Sequence, residues 1–144
     1  MEIFATIITG VFVFVLGQMI LKLFLEPLQE LQKIQRQLIE DVSFYANIYY
    51  NSTIDTPEFR NKVYETSDIL RKNAVKLNAI VLTIPLYKYL EKLNIVTKKS
   101  DISTIQSRLI GISNLMTGKK ENMDFKMIHE WAKEIELILK MRDK

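Results

Sequence analysis

The sequence predicts an all-α protein: an N-terminal transmembrane helix followed by a bundle of four to five helices. Three observations carry that prediction. Residues 3–21 contain no charged side chain. Beyond Leu25, apolar residues recur at three- and four-residue steps, and no stretch alternates with the period of two expected of a half-buried strand. Glycine and proline are scarce in the 144 residues, and Pro27, Pro57, Pro85 and Gly118 stand where those apolar ladders begin or break.

At about 1.5 Å per helical residue, residues 3–21 reach roughly 28 Å, close to the ~30 Å hydrocarbon core of a bilayer. Continuing to Leu25 adds length for tilt, and the Lys22 ammonium can snorkel to the headgroups. A cleaved secretory signal would need a positive start, an apolar core of about 7–15 residues and a small-residue cleavage site. Glu2 stands where the positive charge would be, and no such site occurs from Leu21 to Pro27. A soluble domain of about 120 residues has too little core to enclose a helix that is apolar on every side. The expectation is therefore a retained anchor, residues 1–25, and one helical bundle domain, residues 26–144. Lys22, Lys33 and Arg36 follow the span, against only the α-amino group before it. That asymmetry places the N-terminus outside and the domain in the cytoplasm. The chain has no cysteine, so no disulfide framework exists and a reducing compartment suits it. The sequon Asn51-Ser52-Thr53 would go unused there.

Pro27 either opens a second helix or kinks one that continues the span. Leu28, Leu31, Ile34, Leu38, Val42, Tyr45 and Tyr49 then mark a buried face, opposite Gln32, Lys33, Arg36, Gln37 and Glu40, and the helix is expected to run to about Tyr50. Asp55-Thr56-Pro57-Glu58 reads as a helix start, with a capping side chain, proline in the first turn and an acid at the positive end of the dipole. Phe59, Val63, Leu70, Ala74, Leu77, Val81 and Ile84 line that helix, which Pro85 stops. A short piece from about Leu86 to Leu93 follows. Ser100 or Asp101 is expected to cap the next helix, with Ile102, Ile105, Leu109, Ile112 and Met116 inward and Gly118 as its stop. The last helix, about Asp124 to Met141, buries Phe125, Ile128, Ala132, Ile135 and Leu139.

Enzymatic chemistry finds little to work with. One histidine and no cysteine cannot assemble a structural zinc site or a His-based catalytic one within a single chain. His129 has no nucleophile-elbow sequence beside it, and its place next to Ile128 suits a structural histidine. Gly10, Gly17, Gly111 and Gly118 are isolated, so no phosphate-cradling loop exists. The expectation is a protein that is not an enzyme and takes no cofactor or metal. Its net charge of +3 is mild. Lys98-Lys99, Lys119-Lys120 and Lys140, Arg142 and Lys144 suit solvated loops or contact with anionic lipid or a nucleotide, and direct nucleic-acid binding is not expected.

Two features go further. Thr6, Gly10, Val13 and Gly17 share one side of the span, and Gln18 lies about 80° round from Gly10. Small residues on one stripe let membrane helices approach, and an amide in hydrocarbon seeks a partner or a water-filled cavity. These five form a candidate oligomerisation or pore face; the alternative is the ordinary frequency of Gly and Thr in spans. The stretch Phe44 to Asn51 is densely aromatic with embedded amides. Tyr45 and Asn47 need partners if buried, and Arg71, Arg108 and Asn114 on neighbouring helices are candidates. Together they read as a polar knot fixing helix register or, alternatively, as a ligand site.

Several segments carry a resemblance: Val15-Leu16-Gly17-Gln18 with Glu26-Pro27-Leu28-Gln29-Glu30, Tyr45-Ala46-Asn47-Ile48-Tyr49, Asp68-Ile69-Leu70-Arg71-Lys72, Ile84-Pro85-Leu86-Tyr87, and Arg108-Leu109-Ile110-Gly111-Ile112-Ser113-Asn114. Through them the chain resembles a family of small single-span bacterial membrane proteins whose motifs name no activity. The architecture also resembles the membrane-anchored, HEPN-like accessory proteins found beside type VI CRISPR effectors. That group implies ring-shaped oligomers opening a membrane pore in antiphage defence, and a nucleic-acid-guided effector as partner. The HEPN ribonuclease pattern, Arg followed four to six residues later by His, is absent before His129. The resulting expectation is a homo-oligomeric, non-enzymatic protein of the bacterial inner membrane that perturbs or perforates it. The alternative is a tethered module that recruits a cytoplasmic protein or senses a small anionic ligand.

Overall fold

The computed structural model describes residues 2–51, 56–118 and 124–140. Ser52, Thr53, Asp55, Lys119, Lys120, Met141, Arg142 and Lys144, which figure in the sequence argument, lie outside them. The chain is all-helical, and no strand occurs among the described residues. Helix α1 covers Glu2–Ile20, α2 Glu26–Phe44, α3 Ala46–Tyr50, α4 Pro57–Thr83, α5 Tyr87–Lys92, α6 Lys99–Thr117 and α7 Phe125–Lys140.

α1 and α2 form one uninterrupted helix of 43 residues, about 65 Å long. Between them Leu21–Leu25 take π-helical geometry, with the Glu26 N–H donating to the Leu21 carbonyl five residues back. Pro27 explains the wider turn. In an α-helix its ring would collide with the carbonyl four residues earlier and leave that carbonyl unpaired. Of the two roles open to Pro27, the chain adopts continuation, relieved by one π turn.

The first half of this long helix is long and apolar enough to cross a membrane. α1 contributes no buried residue. Burial begins with Leu31, and Leu31, Leu38 and Val42 then join the core as the ladder predicts. Gln35 is buried with them, whereas Ile34 is only half-buried. The predicted helix to Tyr50 breaks at Tyr45, whose φ of −87° and ψ of 8° turn the chain into α3. The break lets Tyr49 swing under the bundle, where its hydroxyl donates to the Val42 carbonyl at 2.6 Å.

α4 returns antiparallel to α2. Thr56 caps it by accepting from the Phe59 N–H, with Pro57 in the first turn. Ile84, the residue before Pro85, is pushed to extended backbone, φ −82° and ψ 114°, which ends the helix. α6 begins at Lys99 behind Lys98, without a side-chain cap. Ser100 and Asp101 lie inside the first turn, with the Ser100 hydroxyl donating to the Asp101 carboxylate. The N-cap position therefore lies two to three residues before the expected one. Gly118 ends α6 in extended rather than left-handed backbone. Asp124 caps α7 by accepting from the Met127 N–H.

α4 and α6 make the most extensive helix contact. Ser67 and Ser113 sit fully buried where they cross, their hydroxyls 2.6 Å apart. Small side chains there let the backbones approach, and the mutual hydrogen bonds satisfy both hydroxyls. α7 covers α6 and the end of α2, completing a core whose largest buried members include Leu70, Leu77, Ile105, Leu109, Ile128 and Ile135.

Candidate functional site

Two regions compete for function: the bare apolar helix and the polar end of the bundle farthest from it. On α1, Thr6, Gly10, Val13, Gly17 and Gln18 are all exposed. The Thr6 hydroxyl donates to the Glu2 carbonyl and the Thr9 hydroxyl to Ala5, so both hydroxyls are satisfied within the helix. A Cβ built on Gly10 or Gly17 would meet nothing within 4 Å. The glycine positions are thus open surface against which a second helix could pack closely.

At the other end, the five polar residues singled out from sequence take three placements. Arg71 donates to the Asn114 side-chain oxygen at 2.9 Å on the exposed α4–α6 face. Arg108 binds Glu134 at 2.6 Å and stacks 5.2 Å from the Trp131 ring centroid, tying α6 to α7. Tyr45 and Asn47 line a cleft of about 320 Å³ with Phe44, Ile48, Lys62 and Glu65. Asn47 is exposed and Tyr45 half-buried, so neither demands the arginine partner that a buried position would.

Beyond Arg108, further polar contacts knit the bundle, most of them on residues outside the predicted cluster. Asn73 donates to the Asp41 carboxylate at 2.6 Å across α2 and α4. Gln35 donates to the Thr97 hydroxyl at 2.8 Å, and the Tyr87 hydroxyl to the Thr97 carbonyl at 2.6 Å. Gln35 falls between Leu31 and Leu38 in the apolar ladder, the one signal by which it could have been found. Tyr50 shares a 2.8 Å hydrogen bond with His129 Nδ1, and Ser43 donates to Glu136. Burial pushes the Tyr49 phenol well above its ordinary range, reinforced by Tyr50 alongside it and by Glu136. Tyr50 is raised too, again chiefly by burial. His129 is exposed and occupied by Tyr50, an arrangement that docks α3 on α7. Among the described residues, no three His, Cys, Asp or Glu side chains gather as metal ligands would.

No protein-family model, curated protein or solved structure matches this chain.

Proposed function

We propose that this chain is a non-enzymatic, membrane-anchored helical protein that self-associates through its anchor. Its N-terminus would lie outside and its bundle on the cytoplasmic side. The observation that carries the reading is that α1, uncharged from Ile3 to Ile20 and largely apolar, is exposed all round, with no residue buried by the rest of the chain. Such a surface is stable only under lipid or against other spans. The open glycine stripe favours close helix contact, and Gln18 beside it would find a partner amide, or water at the axis of a cyclic assembly.

The test is reconstitution of the full chain into lipid nanodiscs and vesicles. Oligomers above monomer mass are expected, reverting to monomer in Gly10→Leu/Gly17→Leu. Ion flux from loaded vesicles that Gln18→Leu reduces would add the pore. Monomers at every concentration would end the self-association reading, and recovery of the intact chain in the aqueous supernatant would end the anchor itself.

A tethered binding module is supported by a separate observation, the distal cleft with Lys62 and Glu65 on its wall and Phe44 exposed at its rim. Thermal stabilisation by nucleotides or other small anions, lost in Lys62→Ala and unaccompanied by ion flux, would favour this reading instead.

A further inference from the structure

The end of α4 and the segment after it lie beside the root of the long helix. The Asn73–Asp41 hydrogen bond fixes the antiparallel register of α4 on α2. Ten residues further along α4, Thr83 comes level with about Leu31, only some six residues, or roughly 9 Å, beyond Leu25. The groove between these helices shows the same alignment, lined by Glu26 and Glu30 on one side and Ala79 and Thr83 on the other.

From here the chain divides its apolar residues between two directions. Ile84, Tyr87 and Val96 turn inward and are buried, and the Tyr87–Thr97 hydrogen bond pins the segment to the bundle. Leu82, Leu86, Tyr89 and Leu93 turn outward and are between 61% and 71% exposed. Leu86 reverses the chain in left-handed backbone, φ 55°, a conformation a bulky L-residue rarely adopts. The outward set is therefore held in place by the fold rather than left over at a frayed end. Within the segment, Lys88, Lys92, Lys98 and Lys99 are exposed against one acid, Glu91, whose carboxylate accepts the Lys99 backbone N–H, while Glu26 and Glu30 face Thr83 across the groove.

We propose that the segment Leu82–Lys99 is a second membrane contact, an apolar surface ringed by lysines that lies on an anionic lipid surface beside the anchor's exit. The inference rests on the anchor reading above. Exposed leucines and a tyrosine flanked by lysines are the composition that partitions into the headgroup boundary, and lysines near an anionic leaflet are drawn to it. A second copy of the chain is the poorer occupant, because it would bring the same excess of lysines to the contact. With two attachments, anchor and segment, the bundle cannot swing freely about the helix exit and is held at one angle to the bilayer.

Because the chain has no cysteine, single positions can be labelled cleanly. Leu86→Cys, Tyr89→Cys and Leu93→Cys, each carrying an environment-sensitive fluorophore, are reconstituted as full-length protein in phosphatidylcholine vesicles with and without phosphatidylglycerol. Phe12→Cys reports the anchor and Lys62→Cys the distal end. Quenching by nitroxide-labelled lipid is expected at all three segment positions, at least about threefold stronger than at position 62. It should rise with phosphatidylglycerol and fall about twofold in Lys88→Glu/Lys92→Glu. Quenching at position 12 but not at 86, 89 or 93 overturns the second contact and leaves the anchor standing. Labels shielded from both the lipid quencher and aqueous iodide would mean that another copy covers the surface, which also overturns it. Absence of quenching at position 12 would remove the anchor reading and this inference together.

Discussion

Tyr49 shows how one side chain can fix a turn. It sits 2% exposed beneath the α2–α3 break, with its ring 4.7 Å edge-on to Tyr50 and its hydroxyl on the Val42 carbonyl. Tyr49→Phe keeps the ring and removes the hydroxyl, so a loss of about 1 kcal/mol is expected, read as a lower denaturant midpoint with an unchanged slope. The same residue predicts the alkaline behaviour. In the unfolded chain its phenol ionises near pH 10, whereas burial keeps the folded phenol protonated well above that. The folded state thus holds the proton more tightly. Its contribution is complete below about pH 10 and is lost as pH rises further. Stability measured across that range should fall in the native chain and fall less steeply in Tyr49→Phe. Tyr50, raised in the same direction, adds to the slope.

At the scale of elements, spacing is set by small residues at helix crossings. Trp131 of α7 lies so close over Gly111 that an added Cβ would collide with the indole ring. Gly111→Ala would gain about 1 kcal/mol of helix propensity but lose roughly 1–3 kcal/mol to overpacking. The expected net result is destabilisation by about 1 kcal/mol. Trp131 is the chain's one tryptophan, so its fluorescence should shift to the red as the ring is pushed outward from Arg108. The long helix obeys a different local rule. Pro27 is absorbed by the π turn at Leu21–Leu25 instead of ending the helix, so one continuous helix joins the apolar segment to the bundle. The element boundaries legible in sequence were those with a chemical marker: Thr56-Pro57, Ile84-Pro85, Gly118 and Asp124. The break at Tyr45 has no proline or glycine, and the unmarked start of α6 misled the reading toward Ser100 and Asp101.

For the molecule as a whole, the separation of the apolar leading helix from the bundle core has a direct consequence. Since α1 buries nothing in the core, a chain beginning at Glu26 should fold with a melting temperature within a few degrees of the full-length protein and remain in solution without detergent. Loss of helical circular dichroism, or aggregation of that shortened chain, would show that the apolar helix belongs to the fold. The sequence by itself determined the helical class, the apolar leading helix and nearly all of the core. Leu31, Leu38, Leu70, Leu77, Ile105, Leu109, Ile128 and Ile135 are buried where their ladders put them. It could do so because burial on a helix is a local property, written in residue spacing. Only the tertiary structure decided which polar groups meet. Arg71 with Asn114, Arg108 with Glu134, Gln35 with Thr97 and Tyr50 with His129 span 26 to 79 residues of sequence. It also turned the leucines around Leu86 outward near the root of the long helix. Such pairings depend on the register of packed helices, and register arises when whole faces dock, so no single stretch of chain carries it.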